Sequence, residues 1–305
     1  AGNVFMPIAN FPYRPVSIQV FYGIGLFLFG ENPIGFHLLL FGVFIGALWF
    51  AFLLAKIIFK NDFPAKVAVI IFAFNASLFA LFYWIAVSYF VLAAFFVFSS
   101  CYFFIRNKKV LSLILFSLGL LSNELVIVMP FLLFSLRLVL PIRIKNILWP
   151  AILGIIYLII RSQITSAPLA SDYTLVFGVQ TIYTARWYLL RVLNLPEGRA
   201  AAGPLIYSLF GLSVGILLLA VKNIKMKFVF FGITWFIMGA LPFFFLPYHM
   251  SAYYLTISLF GPAIFIASLL GTNRRLVIIF LIFYLALTVV GLDALSKTHW
   301  IILKP

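Results

Sequence analysis

The 305 residues are 66% hydrophobic and only 9% charged, with a mean hydropathy of +1.22. A water-soluble domain covers its surface with roughly 25% charged residues, so this composition excludes one and points to an all-α chain that crosses a membrane repeatedly. The net charge of +15 comes from 21 Lys and Arg against 6 Asp and Glu. Those basic residues form short clusters between apolar runs rather than a face interleaved with aromatics, which argues against a nucleic-acid partner.

In chain order, the first feature is FPYRPVSIQV at 11–20, an arginine and a tyrosine between two prolines. A guanidinium can fork onto two phosphate oxygens, and flanking prolines stiffen the backbone that carries it. Arg14 is therefore a candidate phosphate ligand; the alternative is an anchor that snorkels to lipid headgroups. The apolar stretch Val16–Phe29 is too short to cross a bilayer comfortably. Pro15 before it and Gly30, Asn32 and Pro33 after it are helix start and stop signals, and it reads as a helix at the interface. Membrane spans are expected near 35–57, 67–83, 85–105, 146–160, 204–221, 228–246, 251–270 and 276–294.

Residues 110–140 resist the span template, with basic residues at both ends and Ser122-Asn123-Glu124 in the middle. A hairpin returning to the cytoplasm places more of the basic residues inside than a single span does, including the tight loops KNIKMK and TNRR, where the charge rule is most dependable. Thirteen residues at ~1.5 Å each climb only about 20 Å of a hydrocarbon core roughly 30 Å thick. Glu124 then lies below the outer surface, where an acid needs a cavity or an ion pair. It is a site candidate, the alternative being a structural ion pair with a cation such as Arg14, and Asn123 suits a turn.

In this topology the outer face collects residues 1–14, the Glu124 tip, the loop 161–203, the turn at 247–251 and the tail after 295. The loop holds a helix, VQTIYTARWYLLRVLNL, whose Arg186 and Arg191 diverge by about 140°, so at most one of them serves a single phosphate. Asp172 and Glu197 read as solvated, with contact to a substrate the alternative. His249 stands at a helix start, where it is a candidate polar contact for a ligand, the alternative being water or a free carbonyl. Tyr253 and Tyr254 offer stacking faces, or else belong to an interfacial aromatic belt. Cys101 is the only cysteine, which excludes a disulfide within the chain, and no metal-ligand spacing or dinucleotide glycine pattern occurs.

The run YRPVSIQVFYGIGLFLFGENPIGFHLLLF resembles a pattern of GT-C membrane glycosyltransferases related to the tetratricopeptide-bearing protein O-mannosyltransferases. LLSNELVIVMP is similar to that family's LLSKE segment, and PYHMSAYYLTISLFG to its PxHAERYLYLP segment, in the same order. NASLFALFYWI is a fainter match to its histidine-rich segment. Asn123, Asn75, Ser251 and Ala252 depart from the family's residues at those places. No nucleotide or metal is required by anything in the sequence. The resemblance implies transfer of a sugar from a polyprenyl-phosphate carrier to a glycan, lipid or protein acceptor at the extracytoplasmic face. It also implies that the usual catalytic carboxylate lies in a first outer loop that, with the first span, falls upstream of Ala1.

The resulting expectation is a single domain over 1–305: an all-α polytopic transmembrane bundle with an interfacial helix near the N-terminus and a short membrane hairpin. Arg14, Asn123, Glu124, Arg186, His249, Tyr253 and Tyr254 are its candidate substrate-binding residues. Its expected place is a bacterial or archaeal cell membrane, with the active face outside. A transporter or flippase of lipid-linked intermediates, or a non-catalytic scaffold, is the alternative.

Overall fold

A computed structural model describes residues 13–164, 173–198, 203–299 and 302. The expectations for residues 1–12 and for Asp172 lie outside them. The helices, in chain order, are α1 Phe21–Phe29, α2 Pro33–Phe59, α3 Asp62–Ala73, α4 Ala80–Tyr83, α5 Ser88–Ile105, α6 Lys109–Leu120, α7 Met129–Leu136, α8 Ile144–Ile164, α9 Val179–Val192, α10 Pro204–Leu219, α11 Met226–Phe244, α12 Phe260–Leu270 and α13 Arg274–Thr298. No strand occurs among the described residues. The segments Pro33–Phe59, Ile85–Ile105, Ile144–Ile164, Met226–Phe244 and Arg274–Thr298 are long and apolar enough to cross a membrane. A sixth candidate is the pair Asp62–Ala73 and Ala76–Tyr83, bent by 50°. The chain is thus a helical membrane protein with several spans.

Three of the expected spans differ from continuous crossing helices, for local reasons. The one at 67–83 breaks at Asn75, whose side-chain oxygen accepts the Ser77 N–H at 2.9 Å and so takes over a bond the helix backbone needs. The one at 251–270 is a 3₁₀ turn, Ala252–Thr256, followed by the eleven-residue α12. Pro262 has no N–H to donate back, and its ring crowds the carbonyl four residues earlier, so it is accommodated only in the first turn of α12. The one at 204–221 yields α10, sixteen residues long.

The chain divides into two compact units, residues 1–51 with 85–174 and residues 52–84 with 175–305. In the first, α5 is the buried element and packs along α6. Ser100 Oγ donates to the Ser112 carbonyl at 2.7 Å, a polar tie between the two helices. Close approach is possible at Gly119, where an added Cβ would run into Val126 and Phe96. Most of α8 is exposed apolar surface, including Leu148, Ile155 and Ile159, as suits a lipid-facing helix.

In the second unit α11 packs on α12, α12 on α3, and α10 on α13. Gly261 lets α12 approach Trp235, which is fully buried and donates its indole N–H to the Ile257 carbonyl at 2.9 Å. A buried amide network holds the break at Asn75. Its Nδ2 donates to the Arg191 carbonyl at 3.1 Å, while Asn194 accepts the Ala76 N–H at 2.7 Å and donates to Thr288 Oγ1 at 2.8 Å and the Tyr284 carbonyl at 3.1 Å. Asn194 sits at φ +71°, the left-handed conformation that asparagine tolerates just after a helix.

Candidate functional site

The end of α6 explains how Arg14 reaches Glu124. The last carbonyls of a helix lack intrahelical donors, and here the N-terminal segment supplies them. The Val16 N–H donates to the Leu121 carbonyl at 3.1 Å, and Ser17 Oγ donates to the Ser122 carbonyl at 2.7 Å. Val16–Val20 forms a π-helical turn, and Ser17 is buried in it. With residues 16 and 17 pinned to 121 and 122, the side chain at position 14 arrives at position 124.

Arg14 grips Glu124 with two parallel bonds, Nε to Oε2 and Nη2 to Oε1, both 2.8 Å. The Arg14 guanidinium also lies 4.2 Å over the Tyr89 ring, a cation–π contact. Arg161, in the last turn of α8, adds a third bond to the carboxylate, Nη2 to Oε1 at 3.0 Å. Its Nη1 donates to Tyr157 Oη at 3.0 Å and to the Tyr13 carbonyl at 3.3 Å. The arginine side chains are only 15% and 19% exposed, and that of Glu124 is 36% exposed. Two guanidiniums and one carboxylate sum to one positive charge. Burial pushes the Glu124 carboxyl upward, but the hydrogen bonds and charge of Arg14, with Arg161 behind them, outweigh it and hold the group below the usual carboxylate range.

A cavity of about 220 Å³ adjoins this cluster, walled by Leu120, Leu121, Leu153, Ile156 and Ile160, with Tyr13, Tyr157 and Arg161 supplying its polar groups. Arg161, and not Arg14, lines it. An apolar trough with a guanidinium in its wall can accommodate an aliphatic chain that ends in an anion.

Asn123 belongs to the same corner. Its Oδ1 accepts the Leu125 N–H at 2.9 Å, as a turn residue does, and its Nδ2 is buried without a partner. The other sequence candidates are in the second unit. Arg186 is exposed on α9, whereas Arg191 is 5% exposed. Tyr253 and Tyr254 are each 4% exposed, and the Tyr254 ring stacks on Phe243 at 4.1 Å. Their faces are filled by neighbours rather than offered to a sugar. His249 is half-buried, with its ring 5.9 Å from that of Tyr254.

Glu197 is 7% exposed, not solvated as expected. It is bonded to His299 Nε2 at 2.7 Å and accepts the Ala252 N–H at 3.0 Å. Sequence reasoning missed Arg161, Tyr157 and Tyr89. The available signal for Arg161 was its position at the end of an apolar run with no acid on its own helix. Among the described residues no group of three His, Cys, Asp or Glu side chains is placed to hold a metal. No protein family, curated protein or solved structure was found to match the chain.

Proposed function

We propose that the chain is the membrane module of a glycosyltransferase that uses a polyprenyl-phosphate sugar. The observation that supports this reading is the pairing of an apolar cavity with the Arg161–Glu124–Arg14 cluster. A prenyl-phosphate sugar is a phosphodiester with one negative charge, and two guanidiniums, those of Arg14 and Arg161, converge beside the cavity. The cavity suits the first isoprene units. In this reading α6 and the segment Glu124–Leu136 form a short membrane hairpin, Val16–Phe29 lies at the interface, and the cluster faces the extracytoplasmic side. At twelve residues, α6 rises about 18 Å, short of a full crossing.

In the reaction the acceptor hydroxyl oxygen bonds to the anomeric carbon as the bond from that carbon to the phosphate oxygen breaks. The electron pair leaves with the phosphate, where Arg161 stabilises the added charge. The hydroxyl proton goes to a carboxylate. Glu124 is unsuited to that task, because two guanidiniums lower its basicity. Arg14 is then a positioning residue that fixes Glu124, and Glu124 in turn aims Arg161. In the family that the sequence resembles the base is a carboxylate of a first outer loop, and this reading assigns the proton to such a carboxylate rather than to Glu124.

The test is binding of a short-chain prenyl phosphate, against the matching prenyl alcohol, to the chain in nanodiscs. Prenyl phosphate should bind more tightly than the alcohol, and Arg161→Met should weaken phosphate binding roughly tenfold to hundredfold while leaving alcohol binding unchanged. Equal affinity for alcohol and phosphate in the native chain would sink the assignment.

A further inference from the structure

Arg191, in the last turn of α9, is the one arginine among the described residues that is both 95% buried and without an acidic partner. Its guanidinium carbon lies 4.3 Å over the ring of Trp187, one turn earlier on the same helix. Its Nε is buried and donates to nothing. Glu197 is the acid whose charge acts on it, yet both carboxylate oxygens of Glu197 are already engaged. Oε1 bonds His299 Nε2 at 2.7 Å, and Oε2 accepts the Ala252 N–H at 3.0 Å. The carboxylate stays outside ion-pair distance of Arg191.

A second orphan lies on the same face. Tyr188, three residues earlier, is fully buried, and its hydroxyl makes no hydrogen bond in normal geometry, although the Ser251 backbone approaches it. Positions three apart on a helix are neighbours. Both orphan groups carry a hydrogen that needs an acceptor. Burying a donor without one is costly, and burying a cation without one more so. Burial drives the Arg191 pKa down to about 10, opposed in part by Glu197, but a guanidinium keeps its proton at neutral pH. The missing component is therefore an acceptor that brings negative charge.

We infer that this face of α9 is an oxyanion site, at which Arg191 Nε and the Tyr188 hydroxyl donate to a phosphate group, with the Trp187 ring as the backing of the guanidinium. The site is independent of the function proposed for the Glu124 cluster. Its phosphate belongs either to a soluble ion or to a lipid headgroup, since the donors read the oxyanion and not what it is attached to.

The full chain in detergent should gain thermal stability saturably as inorganic phosphate replaces chloride at constant ionic strength. Arg191→Met should weaken that response roughly tenfold to hundredfold in phosphate concentration. Without phosphate it should be no less stable than the native chain, because methionine fills the stem and leaves no charge to satisfy. Arg161→Met, which removes the guanidinium that lines the cavity of the first cluster, should keep the response, and this separates the two sites. Tyr188→Phe is the second variant, and it should shift the response in the same direction by a smaller factor. Nanodiscs with and without phosphatidate provide the lipid arm: protection by phosphatidate where free phosphate gives none assigns the headgroup. No response in either arm, or an unchanged response in both Arg191→Met and Tyr188→Phe, overturns the inference.

Discussion

Replacing Glu124 with glutamine removes one negative charge and leaves two guanidiniums facing each other with most of their surface buried. Three charge-assisted bonds converge on this carboxylate, at 2.8, 2.8 and 3.0 Å. Breaking a fully buried ion pair from one side costs about 3–5 kcal/mol. The Glu124 side chain is 36% exposed, so water screens part of the loss and about 1–3 kcal/mol is the fitting range. At about 2–4 °C per kcal/mol for a large domain, that is a fall of roughly 2–12 °C in Tm. The informative assay is a double-mutant cycle read by thermal unfolding of the detergent-solubilised chain, using Glu124→Gln, Arg14→Met and the pair. Arg14 holds two of the three bonds, so its coupling to Glu124 should be about 1–2 kcal/mol and should exceed that of Arg161 in the parallel cycle. Additivity within about 0.3 kcal/mol in the Arg14 cycle would refute the reasoning, because contacting charges cannot act independently. The pH dependence has a definite sign. The folded-state pKa of Glu124 is lowered, so its contribution is complete above the ordinary carboxylate range and is lost as pH falls through the folded value. The gap between the native chain and Glu124→Gln should stay constant from neutral pH down to that range and close only below it.

Ile156→Trp should fill the cavity beside Arg161 and reduce prenyl-phosphate retention without altering far-ultraviolet circular dichroism; undiminished retention would place the chain elsewhere. Asn194→Ala removes three buried hydrogen bonds at φ +71° and should cost about 2–5 kcal/mol. Asn194→Gly should recover about 1 kcal/mol of that through its tolerance of the backbone, which thermal unfolding can resolve. Gly261→Ala drives a methyl into Trp235 and the Gly232 carbonyl and should destabilise by about 1–3 kcal/mol, seen as a lower Tm and altered tryptophan emission.

Composition and run length were enough to find the five long spans, because a helix that faces lipid must be apolar over its whole length and needs no partner to show it. Breaks were harder to see. The break at Asn75 depends on an asparagine whose partners are the distant Arg191 and Tyr284, and no window of hydropathy carries that. Glu124 was legible as an acid that needs a partner, because an acid inside an apolar run is costly wherever it lies, and the partner suggested for it, Arg14, sits within hydrogen-bonding distance. Arg161 was not legible, since position 161 reads as the ordinary basic end of a span and its approach to 124 is a product of tertiary packing. Glu197 shows the same limit from the other side: a loop acid looks solvated until a buried histidine 102 residues later is found bonded to it.

With so few acids in the chain, what each arginine lacks is as informative as what it touches. Arg14 and Arg161 share the Glu124 carboxylate, so each is held in place beside an apolar cavity. Arg191 has no carboxylate at bonding distance, and its neighbour Glu197 has spent both oxygens on other donors. The two environments therefore respond oppositely to neutralisation. Removing the charge of Arg14 should leave Glu124 with one of its three charge-assisted bonds and cost stability, whereas removing that of Arg191 should cost none and weaken only the response to phosphate. Measuring both variants in one unfolding series, with and without phosphate, separates an arginine that holds the fold from one that waits for a ligand.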